Sequence, residues 1–182
     1  MKILLLTGSP RQGGNTQALA KAFVEGAQTA GHQVTDLDLA KLRIGACIAC
    51  EHCRKPATLG KCPQKDDMQK IYDLWLEQDA VVWATPLYYY SFSAQIKLAL
   101  DRVYALPNQA APNNRLQKMA LLVACADTEA RAADGLVSQF HSICDFFGTA
   151  SGGIVVARNV HDLGDIVGHP ALEQAHLVGE NF

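Results

Sequence analysis

Apolar residues along this chain follow two alternating rhythms. Short apolar runs bounded by turn residues recur at Lys2–Thr7, Ala80–Ala84, Lys118–Ala124 and Gly153–Ala157. Runs of this length flanked by Gly, Ser or Pro read as strands buried on both faces. Gln33–Leu39 alternates polar and apolar instead, as an outer strand would. Between the strands the apolar positions recur at helical spacing. Leu19, Ala22, Phe23 and Gly26 mark a helix opened by Asn15 and closed by Gly31. Met68, Ile71, Leu74 and Trp75 follow Asp66 and Asp67, acids suited to the positive end of a helix. Ile96, Ala99, Leu100 and Val103 follow Ser93, a candidate N-cap. Leu136, Phe140, Ile143 and Phe147 mark a fourth helix, and Pro170 begins a short last one. The polar, turn-rich stretch Pro107–Arg115 predicts a surface loop. Strand and helix alternate throughout, which predicts an α/β fold with a five-stranded parallel sheet covered on both faces. Residues 1–182 read as a single domain, with 45–65 a cysteine-bearing insertion.

Composition narrows the function classes. The balance is 16 Lys and Arg against 18 Asp and Glu, a formal net charge of -2. That leaves no electrostatic footprint for nucleic acid and no polybasic patch for a membrane surface. The run Ile3–Leu6 behind Lys2 imitates a signal peptide but stops at Thr7-Gly8-Ser9, too short for the apolar core of one. No stretch approaches the ~18 apolar residues of a bilayer span. The expectation is a soluble cytoplasmic chain whose partners are small molecules, not nucleic acid or membrane.

In doubly wound sheets ligands sit beyond the carboxyl ends of the strands. The first strand is followed by Gly8-Ser9-Pro10-Arg11-Gln12-Gly13-Gly14-Asn15-Thr16. Small residues there let backbone approach an anion, and the helix that follows aims its N–H groups and dipole at the same place. Arg11 adds a forked cation suited to phosphate. The Lys-Ser/Thr of a nucleotide-binding Walker loop is missing, and so is the G-x-G-x-x-G of dinucleotide sites. The third strand is followed by Thr85-Pro86-Leu87-Tyr88-Tyr89-Tyr90-Ser91-Phe92-Ser93. Aromatics in such a loop offer a flat, partly apolar wall to a planar ring; the alternative is that they cover an interface or close the core. A third polar loop, Cys125–Glu129, follows the fourth strand. A phosphate cradle beside an aromatic loop suits a mononucleotide with a large planar ring, and flavin mononucleotide fits best.

The two segments GSPRQGGNT (Gly8–Thr16) and TPLYYYSFSAQIKLALDR (Thr85–Arg102) resemble the NAD(P)H-dependent FMN reductase family of flavodoxin-like flavin and quinone reductases. The resemblance implies a flavodoxin-like three-layer sandwich with strand order 2-1-3-4-5. It implies that Ser9, Arg11, Gly14, Asn15 and Thr16 hold the FMN phosphate. Pro86, Leu87, Tyr88 and Tyr89 would line the flavin ring, with Asp127 joining from the third loop. NAD(P)H would reduce the flavin, which would pass electrons to a small acceptor such as a quinone, a flavin or a nitro compound. The chemistry is then mostly the cofactor's, with no dedicated catalytic acid–base pair. The resemblance also implies a homodimer or a dimer of dimers.

Four of the six cysteines, Cys47, Cys50, Cys53 and Cys62, crowd into the insertion, spaced x2, x2 and x8. In a cytosolic chain such crowding reads as metal, redox or buried thiols before disulfides. The spacing is similar to that of the related iron–sulfur flavoproteins, although their gap before the fourth cysteine is usually somewhat shorter. Plain structural or redox-responsive thiols are favoured over an iron–sulfur cluster on these four residues, and the cluster over a zinc site. Under the cluster alternative the protein carries electrons between protein partners. Cys125 and Cys144 read as buried apolar groups, and the histidines as surface or capping residues.

Overall fold

The computed structural model describes residues 1–106 and 116–182. The predicted Pro107–Arg115 loop lies outside the described residues. Five strands, β1 (Lys2–Thr7), β2 (Gln33–Asp38), β3 (Ala80–Pro86), β4 (Lys118–Ala124) and β5 (Ala150–Ala157), form one sheet. Its order is β2-β1-β3-β4-β5, and every neighbouring pair is parallel. This is the flavodoxin-like arrangement that the resemblance implies.

The period-two alternation of the strands sorts the core into two halves. Leu4 and Leu6, Val81 and Trp83, and Met119, Leu121 and Val123 face one side. They pack there against the helices α2 (Met68–Glu77), α3 (Ala94–Arg102) and α4 (Asp134–Phe147). Ile3 and Leu5, Ala80, Val82 and Ala84, and Ala120, Leu122 and Ala124 face the other side. There they meet α1 (Asn15–Thr29) and α5 (Pro170–Glu180). The second face is rich in alanine, so its helices lie close to the sheet. The first carries tryptophan and methionine bulk. Helices α1 and α5 meet backbone to backbone at Gly26 and Gly179. A Cβ on Gly26 would stand 1.9 Å from the His176 carbonyl oxygen, and one on Gly179 would stand 2.2 Å from that of Phe23.

Several predicted boundaries shift. Strand β3 runs on through Thr85 to Pro86, because its pairing with β4 continues to Ala124. Strand β5 begins at Ala150, not Gly153: Ala150 and Ser151 carry no apolar signal but pair with Lys118 and Met119, and a register shift lies beyond them. Helix α3 stops at Arg102, and Val103 enters a 3-10 turn. The caps follow side-chain chemistry. Ser93 Oγ accepts from the Ile96 N–H, Asp66 Oδ1 accepts from the Met68 N–H, and His169 Nδ1 accepts from the Ala171 N–H. Among the described residues no helix is long and apolar enough to cross a membrane.

The cysteine-bearing segment leaves the sheet after β2 and returns at α2 through a fastened neck. Arg102, at the end of α3, donates to both Asp66 carboxylate oxygens at 2.8 and 3.1 Å and to the Gly45 carbonyl at 2.9 Å. The Gly45 N–H donates to Asp66 Oδ2 at 2.9 Å, and Arg43 and Asp67 exchange two further bonds. The Arg102 side chain is 1% exposed.

Candidate functional site

The loops after β1, β3, β4 and β5 meet at the carboxyl edge of the sheet, where β1 has neighbours on both sides and the strand order reverses. The loop after β1 is held from two directions. The Gly8 N–H donates to the Ala84 carbonyl at 2.8 Å, and Ser93 Oγ donates to the Gly8 carbonyl at 2.7 Å. Ser93 therefore caps α3 and ties the first loop to the start of that helix at once, while the Gly8 N–H ties it to β3. The Arg11 N–H donates to Ser9 Oγ at 3.2 Å, which folds the loop over the start of α1. Gly14 stands at the N-cap of α1 and supplies no capping side chain. The first-turn N–H groups therefore face the loop's concavity without a side-chain acceptor, the usual setting for a bound anion.

This concavity is a cavity of about 190 Å³. Ser9, Arg11, Gly14, Asn15 and Thr16 line it from the first loop, and Pro86, Leu87 and Tyr88 from the third strand and its loop. A second cavity of about 280 Å³ lies alongside, bordered by Leu87, Tyr89, Tyr90, Cys125, Ala126 and Asp127. Leu87 and Ala126 border both cavities. All ten residues singled out from the sequence thus line one or the other.

The aromatic loop closes as a tight turn. Tyr88 and Ser91 exchange backbone bonds at 3.2 and 3.1 Å. The two central residues, Tyr89 and Tyr90, take left-handed φ values of 46° and 61°. Such turns ordinarily use Asn-Gly, and side chains with a Cβ cost about 1–2 kcal/mol each there. Tyr89 is 99% exposed. The chain spends conformational energy to present two aromatic rings at the rim.

The loop after β5 carries lining residues that sequence reasoning missed: Val160, His161 and Leu163. Arg11 Nη1 donates to the His161 carbonyl at 2.6 Å. The Asn15 side-chain amide donates to the Asp162 carbonyl at 2.9 Å and accepts from the Ile166 N–H at 3.4 Å. Asp165 folds this loop on itself by accepting from the His161 and Asp162 N–H groups, bonds that hold its carboxyl below the ordinary range. Two first-loop side chains therefore also clasp the fourth loop. No local motif betrays this, because the partners lie about 150 residues away.

The family model described as NADPH-dependent FMN reductase matches residues 1–161. The chain belongs to this family. A Bacillus subtilis protein provisionally named NAD(P)H-dependent FMN-containing oxidoreductase is 30% identical over 181 residues, covering 96% of this chain and 94% of that one. An iron–sulfur flavoprotein of Methanocaldococcus jannaschii is 33% identical over 102 residues, covering 56% of this chain and 51% of the relative. The match thus spans about half the length of that relative. Among solved structures, an NAD(P)H:quinone oxidoreductase from Methanothermobacter marburgensis superposes with a TM-score of 0.78 at 20% identity, covering 100% of this chain and 95% of that one. A Bacillus anthracis azoreductase gives 0.75 at 22% identity, with full coverage of both chains. At these identities the structural likenesses speak to the fold alone.

The family name carries FMN and NADPH, and the site fits FMN. An uncapped helix start, buried Ser9 and Thr16 hydroxyls and the Arg11 cation suit a phosphate. The adjoining cavity, walled by Leu87, Tyr89 and Tyr90, suits a planar ring. The two volumes together match the usual size of a small-ligand pocket. An iron–sulfur cluster fits less well. Cys47, Cys50, Cys53 and Cys62 do border one cavity, but it measures about 20 Å³, room for a single water. Among the described residues no three His, Cys, Asp or Glu side chains stand together as a metal's ligand set.

Proposed function

We propose that this chain is an FMN-dependent oxidoreductase that takes electrons from NAD(P)H and passes them to a small acceptor such as a quinone, a flavin or a nitro compound. The observation that carries the reading is the convergence of two motifs and a third loop on two adjoining cavities at the strand-order reversal. Bound FMN supplies the two-electron chemistry. The chain's own residues bind and orient it. Arg11 and the α1 N–H groups neutralise the phosphate, and Ser9 and Thr16 fix its rotation. Pro86, Leu87 and Tyr88 stop the ring from sliding along the sheet edge. Tyr89 and Tyr90 stand where they cover the ring face and limit water. No side chain at the site is assigned a proton-transfer step. The same reading has the chain working as a homodimer, with the Tyr88–Ser91 turn meeting a second copy.

The test is a titration of the protein with FMN and with riboflavin, followed by anaerobic addition of NADH or NADPH and then a panel of acceptors. Tight FMN binding, weaker riboflavin binding and bleaching of the flavin band by a nicotinamide support the proposal. Failure to bind FMN, or FMN that no nicotinamide reduces, overturns it. A second reading, single-electron transfer through FMN and a cluster, draws on the relatives named iron–sulfur flavoprotein. About four irons per chain would favour it.

A further inference from the structure

Helix α3 begins beside the flavin cavities, where Ser93 caps it and holds Gly8. Its 9 residues span about 13 Å. At its other end opens a cavity of about 780 Å³ that the flavin reading does not use. Leu100 and Val103 wall it from the end of α3 and the 3-10 turn that follows. Ile143, Phe146 and Phe147 wall it from the end of α4. Phe147 is buried against Trp75, with ring centroids 5.6 Å apart, so that wall is fixed. Phe146 is 68% exposed and lies off the apolar stripe by which α4 packs on the sheet.

The third wall comes from the segment between β2 and α2, which reaches the cavity with Ala49 and Arg54. Ala49 and Glu51 take left-handed φ values of 50° and 54°, a conformation that a Cβ disfavours. Two side chains of this bent segment grip Tyr104. The Tyr104 hydroxyl donates to Glu51 at 3.2 Å, and the Arg54 guanidinium carbon stands 4.0 Å from the centre of its ring. Arg54 is thereby held in place with its side-chain N–H groups unspent: among the described residues no carboxylate or carbonyl accepts from them. Asp101 also lines the cavity, but Lys97 Nζ pairs with it at 2.7 Å. A half-buried cation without a counter-charge, set in an apolar concavity, calls for an anion with an apolar body.

We propose that this cavity binds a monocarboxylate with an extended apolar body, a fatty acid or a compound of that shape. Its carboxylate pairs with the guanidinium fork of Arg54. Its body lies along Leu100, Val103 and Ile143 and covers Phe146, which removes that ring from water. Asp101 inside the cavity and Glu51 on the far end of Tyr104 disfavour a second negative charge, so one carboxylate suits the site and a polyanion does not. The volume lies within the usual range of small-ligand pockets. The cavity shares no lining residue with the two flavin cavities, so the proposal stands apart from the flavin reading.

The test titrates decanoate, and decanol as its uncharged counterpart, into the full chain with and without excess FMN. Calorimetry gives the affinities, and NMR shifts of methyl and amide groups locate the probe. Decanoate should bind once per chain whether or not FMN is present, with shifts centred on Leu100, Val103 and Ile143. Decanol should bind at least about tenfold more weakly, because it forfeits the ion pair. Arg54→Met should bring decanoate down to the affinity of decanol, and Arg54→Lys should recover part of the preference. Phe146→Glu should abolish decanoate binding and leave FMN affinity unchanged. No binding at millimolar decanoate, equal affinity for acid and alcohol, or shifts confined to the flavin cavities would each overturn the proposal. So would a dimer that Phe146→Glu dissociates, which would give the groove to a second copy. The comparison of acid and alcohol on the wild type decides the matter even where a variant folds poorly.

Discussion

Replacing Arg102 with methionine is the most informative single change to stability. Methionine keeps much of the apolar stem and removes the guanidinium. Asp66 then loses two bonds, at 2.8 and 3.1 Å, and the Gly45 carbonyl loses its donor at 2.9 Å. Removing one partner of a buried ion pair costs about 3–5 kcal/mol. Asp66 is the more exposed partner and keeps the Gly45 and Met68 N–H bonds, so the lower end, about 3 kcal/mol, is expected. For a chain of this size that lowers Tm by roughly 6–12 °C. Asp66→Asn, which leaves the buried cation unmatched, should cost a similar amount. The double variant should lose at least ~1 kcal/mol less than the sum of the two. The pH dependence has a definite sign. Burial pushes the Asp66 carboxyl up, but Arg102 and the two N–H groups outweigh it and hold the pKa below the ordinary range. A depressed folded pKa gives stability that is complete above the unfolded value, about 3.9, and is lost as pH falls through the folded one. The wild type should therefore lose stability more steeply than Arg102→Met below pH ~4. Urea unfolding of the four proteins at pH 7 and at acid pH is the assay. Single-variant losses under ~1 kcal/mol, or strict additivity to within ~0.5 kcal/mol, would refute the reasoning.

Other consequences are open to direct measurement. Arg11→Gln removes a charge-assisted phosphate contact, so FMN affinity should fall about tenfold to a hundredfold while riboflavin affinity holds; equal losses for both would take Arg11 away from the phosphate. Gly8→Ala places a Cβ 2.4 Å from Ile96 Cγ1 and 2.7 Å from Ser93 Oγ. It should destabilise the fold by about 1–3 kcal/mol and loosen the cradle, read by melting and by FMN titration. Tyr89→Asn combined with Tyr90→Gly relieves two left-handed tyrosines. The pair should raise stability by about 1–2 kcal/mol while weakening ring binding, and a less stable variant would contradict the strain argument.

Much of this molecule was legible in the sequence because its strands are buried on both faces. Unbroken apolar runs such as Ile3–Leu6 and Val81–Trp83 have few other uses, and the loops that follow them are where ligands must go. The missed features are those that local pattern cannot encode. The start of β5 at Ala150 is set by backbone pairing with β4 and not by its own side chains. His161 lines the phosphate cavity only because Arg11 and Asn15 draw its loop in from across the chain. Arg102 read as the end of a motif, and its role as a fastener shows only when Gly45 and Asp66 come to meet it.

The contact between Gly26 and Gly179 has a reach well beyond the two helices it joins. Helix α1 bears the cradle at its front end, and α5 blocks its flank with main chain against main chain. No side chain lies between them there to flex as a cushion. With α1 held this closely, the movement that admits or releases an anion is expected of the loops at the rim. The family model's match ends at residue 161, yet α5, which lies beyond it, is the buttress of the cradle. Changes in α5 should therefore register as altered cofactor retention at a site the helix never touches.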